Sequence, residues 1–153
     1  MSHPLARTLA WTLLASLFAS RAYASVSGAR DSVLADAASL RALAREDRGP
    51  SGTTVWTLET DSVIVREYLS ASGLVFAVTW AGLVHPDLGT LLGPHARAWR
   101  AALQSSAPAR WRRSHRLATE HVVVETWGHM RRLQGRAYTP ALVPSGVVID
   151  ELP

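Results

Sequence analysis

Apolar positions change their spacing several times along the chain, and each change marks a candidate element. Val33, Ala37, Leu40 and Ala44 fall on one stripe at helical spacing, flanked by Leu34 and Leu43. They predict a helix over 31–45, capped by Asp31 and Ser32. Arg41, Arg45 and Arg48 lie near its C-terminal end, where the helix dipole favours positive charge. A loop over 46–52 carries the breakers Gly49, Pro50 and Gly52. The stretch 53–59, TTVWTLE, is rich in β-branched and aromatic residues and reads as a strand. A turn at 60–62 leads to a second strand over 63–70. Alternation there puts Val63, Val65 and Leu69 on one face, and Ile64, Arg66 and Tyr68 on the other. After a hairpin turn at 71–73, where Gly73 can take positive φ, a third strand runs over 74–80. It is apolar on both faces, which marks it as the central strand.

The period then returns to that of a helix. Pro86-Asp87 is a helix start followed by Leu88, Leu91 and Leu92, and Gly93-Pro94 forces a kink or restart. His95, Trp99, Ala102 and Leu103 continue the stripe to about residue 104. The basic segment 105–115 has no period and reads as a loop. A fourth strand is expected over 118–127, centred on Val122-Val123-Val124, with Gly128 as the turn. A weaker fifth strand follows over 130–138, interrupted by Gly135. The tail 140–153 holds Pro140, Pro144 and Pro153 and is expected on the surface, with 147–149 a candidate edge strand. The order is helix, three strands, helix, two strands. It predicts an α+β fold, a single antiparallel sheet of about five strands packed by helices on one face.

Composition changes this picture at the N-terminus. Arg7 and the free amine precede an apolar run over 8–18, and Ala22-Tyr23-Ala24 gives the small-x-small pattern of a cleavage site. Residues 1–24 are therefore expected to be a signal peptide cleaved after Ala24, leaving one domain over 25–153. The protein is expected to be exported, to the periplasm or beyond, and not integral to a membrane once cleaved. With no cysteine among its 153 residues, the sequence offers neither a lipoprotein acylation site nor a disulfide, so the domain must hold by packing. Hydrophobic residues at 48% and charged ones at 18% are sufficient for that. The formal charge of +4 falls to +2 without Arg7 and Arg21, because 14 arginines then face 12 acids. Lysine and asparagine are absent, which points to a GC-rich coding sequence and weakens any functional reading of abundant arginine.

Several short stretches taken together point to a family. They are Arg66-Glu67-Tyr68, the run Gly73-Leu74-Val75-Phe76-Ala77-Val78 with Trp80, Pro86-Asp87-Leu88 with Leu91-Leu92-Gly93, and Gly128-His129-Met130-Arg131. Gly135-Arg136-Ala137 and the closing Pro140 to Val147 complete the set. In this order the chain resembles a family of small exported bacterial, mostly proteobacterial, proteins of unknown function. The resemblance implies an exported single domain and supplies no activity, cofactor or site residue.

Candidate chemistry is sparse. His129 beside Met130 pairs two copper-ligand types, but no His-x-His or Met-rich spacing accompanies them. The residues favour a hairpin with an exposed histidine and a core methionine, so no metal and no cofactor is expected. A ligand-facing role is kept for His129 and Arg131. Arg66 and Tyr68 share a strand face and could bind a carboxylate or phosphate, while Glu67 points away. Arg110, Trp111, Arg112 and Arg113 interleave an aromatic with cations, which fits contact with an anionic envelope surface or an acidic partner. The leader argues against nucleic acid. The sequence has no Gly-x-Ser-x-Gly elbow, no cysteine nucleophile and no Gly-rich phosphate loop. Asp61, Glu67, Asp87, Glu120 and Glu125 are the carboxylates available for pairing. The leading expectation is a non-enzymatic binding or accessory protein of the envelope. The alternatives are a small hydrolase-like enzyme and an assembly factor acting through an exposed sheet edge.

Overall fold

The computed structural model describes residues 26–106 and 114–152. The expected signal peptide and the basic stretch Arg110, Trp111, Arg112 and Arg113 lie outside them. Seven strands make one sheet that is antiparallel throughout: β1 (Leu43–Arg48), β2 (Thr54–Glu59), β3 (Val63–Leu69), β4 (Val75–Gly82), β5 (Ser114–Ala118), β6 (Val123–His129) and β7 (Arg132–Tyr138). The helical part is small, comprising α1 (Arg30–Leu40), the single turn α2 (Leu88–Leu91) and α3 (Ala96–Ser105), with 3₁₀ turns between and after them. This corrects the expected α+β sheet of about five strands. The protein is mostly sheet, with seven strands and few helices.

Two local misreadings account for the missing strands. The helix expected to continue to residue 45 ends at Leu40, because Arg41 adopts a left-handed backbone (φ 53°) and returns its N–H to Ala37 and Ala38. The chain then reverses into β1, whose charged sequence LAREDR resembles a solvated helix end more than a strand. The strand expected over 118–127 begins only at Val123 as β6, and the missing strand β5 lies ahead of it, starting at Ser114 inside the segment expected as a loop. Thr119 Oγ1 and N–H bond to Val122 and turn the chain between the two. Residues 147–149 form no strand, and Ile149–Glu151 is a 3₁₀ turn.

Strand order across the sheet is β1-β2-β3-β4-β7-β6-β5. The first four strands form a meander. The chain then crosses the sheet through α2 and α3, enters the far edge as β5, and comes back inward through β6 to β7 beside β4. The apolar strand β4 therefore lies at the centre, with neighbours on both sides. Each face has its own core. On the first, Trp56, Leu58, Val65, Val78, Trp80 and Val124 pack beneath α1, Leu91, Leu92, Ala96 and Trp99. On the second, Val55, Tyr68, Phe76 and Ala77 are covered by the tail residues Leu142, Val143, Val147, Ile149 and Leu152. Full burial of each large apolar side chain contributes about 1.5–3 kcal/mol, so the proline-bearing tail is a structural layer of the fold.

Candidate functional site

The face under α1 contains a polar pair that the strand pattern does not announce. Glu67 of β3 shares its face with Val65, and Asp36 of α1 is inserted against it; both are 1% exposed. When both groups are written as carboxylates, Asp36 Oδ2 and both oxygens of Glu67 lack a hydrogen-bond partner. A proton on Glu67 donated to Asp36 pairs one oxygen of each. Burial is the main cause of the raised pKa values, to about 7 for Asp36 and about 8 for Glu67. The hydrogen bond with Glu67 lowers the Asp36 value and the charge of Asp87 raises it, while the charge of Asp36 raises Glu67. Sequence reading counted Glu67 among pairable carboxylates but missed Asp36, which sits on the buried side of α1. Of the other carboxylates, Glu125 is held by Arg116 and Arg136, at 2.7 and 2.5 Å. Asp87 is the N-cap of α2, accepting from Gly89 N and Thr90 Oγ1, both at 2.8 Å. These bonds, first that from Thr90, lower its pKa.

Beside α3 the same face opens into a groove of about 400 Å³. Its apolar surface comes from Leu88, Trp99, Leu103 and Val124, and its polar groups are His85, Asp87, Arg100, His115 and Thr126. Two glycines shape it. A Cβ at Gly89 would lie 2.2 Å from Arg100 Nη2, so the bare glycine lets the guanidinium lie across α2 near Asp87. A Cβ at Gly135 would lie 2.3 Å from Trp80 Cζ2, so that glycine in β7 gives the indole its place on the sheet. From there Trp80 Nε1 donates to His85 Nδ1 at 3.0 Å, with the rings edge-on at 82°.

This hydrogen bond fixes the chemistry of His85. Indole nitrogen only donates, so Nδ1 must accept and the neutral ring carries its proton on Nε2. Desolvation by burial lowers the pKa of His85 and favours that neutral form. His85 is thus a fixed N–H donor, unsuited to act as base or metal ligand through Nε2. With the Asp87 carboxylate committed to α2, the groove presents mainly donors over an apolar floor.

The groove continues past His85, His115 and Thr126 into a smaller recess, and past Gly128 and Leu133 into a concavity of about 630 Å³ at the end of the sheet. His129 and Arg131 line this last part together with Arg132 and Leu83. Met130 is 89% exposed, which corrects the expectation of a core methionine. The turn is Met130-Arg131 rather than Gly128, which remains in β6 opposite Leu133. Arg66 and Tyr68 lie on the opposite face. Tyr68 is buried against Phe76, with ring centroids 6.2 Å apart, and its hydroxyl bonds to Thr79. A further polar contact joins Ser27 Oγ to His95 Nε2 at 3.3 Å, with His121 ring-to-ring with His95 at 6.0 Å. Among the described residues, no group of three or more His, Cys, Asp or Glu is placed to hold a metal ion, and no helix is long and apolar enough to cross a membrane.

A family model described as protein of unknown function (DUF2844) matches residues 22–152. Comparison with curated proteins and with solved structures returns no match.

Proposed function

The chain belongs to this family of unknown function, and from that premise we propose that it is an exported, non-enzymatic binding or accessory protein of the bacterial envelope. Its groove beside α3 takes a partly apolar ligand that carries a carboxylate or carbonyl. The observation that carries this reading is the Trp80–His85 hydrogen bond, which holds an imidazole N–H in place as a donor. Arg100 stands across the same groove to meet an anionic acceptor, and Trp99, Leu103 and Val124 meet the apolar part. The groove is open along its length, which favours holding an extended molecule over enclosing a reaction. Export is supported by the apolar core at 8–18 and the Ala22-Tyr23-Ala24 pattern.

The hydrolase reading lacks support at His85, whose Nε2 holds the proton that a general base would need to receive. The sheet-edge reading meets charged edges, with Arg45, Glu46, Asp47 and Arg48 along β1 and Arg116 on β5. Such edges discourage strand addition.

Amide and indole NMR spectra of the protein, titrated with decanoate and separately with 1-decanol, test the proposal. Decanoate should shift the indole N–H signals of Trp80 and Trp99, and Arg100→Gln should weaken its binding about tenfold. Decanol should bind less well. Equal responses to the two ligands, or shifts that spare both indoles, would overturn the assignment.

A further inference from the structure

The hairpin that closes β6 onto β7 is built against local preference. His129 pairs with Arg132, leaving a two-residue turn in which Met130 and Arg131 both take positive φ, 26° and 65°. Turns of this kind select Asn-Gly, because side chains with a Cβ are crowded in the left-handed region. Gly128, at φ 107°, tightens the approach further; a Cβ there would lie 2.0 Å from the Arg132 carbonyl oxygen. The sequence keeps Gly128 inside the strand and places a long apolar and a long cationic side chain at the tip. Strain of this kind, kept at an exposed tip, points to a use for the side chains.

The tip has neighbours that share its character. Leu83 and Val84, just after β4, are each 48% exposed at the same end of the sheet as Met130. Between the two loops lies the concavity lined by His129, Arg131 and Arg132. Neither Arg131 nor Arg132 has an ion-pair partner among the described residues. The acids at this end, Glu59 and Asp61, face a separate concavity with Arg41 at the turn between β2 and β3.

We propose that this end of the sheet docks on an anionic phospholipid surface. Met130, Leu83 and Val84 enter the boundary between headgroups and acyl chains, while Arg131 and Arg132 meet lipid phosphates in the cleft between the loops. The three apolar side chains sit on two loop tips, Leu83-Val84 and Met130, on either side of a cationic hollow. Convex tips suit a fluid interface, which closes around each of them, whereas a folded partner would need matching pits. Arg131 and Arg132, without ion-pair partners among the described residues, supply the charge complementarity.

The absence of cysteine allows a clean test. An environment-sensitive fluorophore is attached to Val84→Cys, or to Ser72→Cys at the opposite end of the β3–β4 hairpin, in the full chain. Vesicles contain either phosphatidylcholine alone or phosphatidylcholine with 30% phosphatidylglycerol, a proportion of about one lipid in three chosen to give a strong surface potential. The probe at 84 should shift to the blue on the anionic vesicles only, and less so at high salt, while the probe at 72 stays unchanged. Because each probe reports its own surroundings, membrane binding by the N-terminal segment does not imitate this pattern. The double variant Met130→Asn/Arg131→Gly restores the preferred turn. It should raise the melting temperature and lower vesicle affinity at least about tenfold. Retained affinity in that variant, equal response at 72 and 84, or no response at 84 would overturn the proposal. So would a response at 84 that depends on an added envelope protein fraction and not on lipid.

Discussion

Glu67 and Asp36 face each other in the interior between β3 and α1, where burial above all opposes their ionisation and the charge of Asp36 further opposes that of Glu67. Their pKa values are raised in the folded protein, so the folded state binds more protons than the unfolded chain. The stabilising protonation is complete below the ordinary carboxylate range and is lost as pH rises toward about 8, the value reached by Glu67. Stability should therefore fall as pH rises from about 4, the ordinary carboxylate range, to about 8. Replacing Glu67 with Gln removes one ionisation and keeps a donor for Asp36, so it should flatten that decline and stabilise the protein at pH 8. Urea denaturation of both proteins across this range measures it, and a parallel decline in the two would contradict the shared-proton description.

At the scale of elements, the tail is tied to the sheet by one arginine. Arg136 of β7 bonds to Glu125 of β6 at 2.5 Å, to the Ile149 carbonyl at 3.0 Å, and to the Asp150 carboxylate. Arg116 of β5 reaches the other oxygen of Glu125 at 2.7 Å. The network thus runs across β5, β6 and β7 to the segment that covers Phe76 and Tyr68. Arg136→Ala leaves Glu125 half-buried beside an exposed partner and frees the tail, at a cost of about 3 kcal/mol. Denaturation should report the loss, and limited proteolysis should now cut near Ile149. An intact tail in the variant would show that apolar contacts alone hold it. The same comparison explains why this layer was illegible in the sequence. Three prolines and a short apolar run read as a surface tail, and only the register of β7 brings Arg136 to face Asp150.

For the whole molecule, the sheet order places β3, β4 and β7 in the middle and β1 and β5 at the edges. Every residue of β1 is exposed, with Leu43 at 80%, and one side of the strand has no strand partner among the described residues. Amide hydrogen exchange should be slowest in β4 and its two neighbours and fastest in β1, approaching loop rates there. Slow exchange in β1 would mean that another chain covers it in solution. This edge was misread because charge decided its appearance. Edge strands carry charge to repel further pairing, and the same residues look like the solvated end of a helix.

Alternation of apolar residues over β2, β3 and β4, with two-sided burial at β4, was determined by sequence alone, since a strand buried on both faces has no room for charge. The kink between α2 and α3 was equally local, being set by Gly93 and Pro94. The number of strands, the covering of the second face and the candidate groove were decided by tertiary structure. His85, Arg100, His115 and Thr126 meet because the chain crosses from β4 over the sheet to its far edge before returning. The proton on His85 is placed by Trp80, whose indole has room only where Gly135 lies beneath it. Such meetings depend on register and crossover, and residues distant along the chain carry no local mark of them.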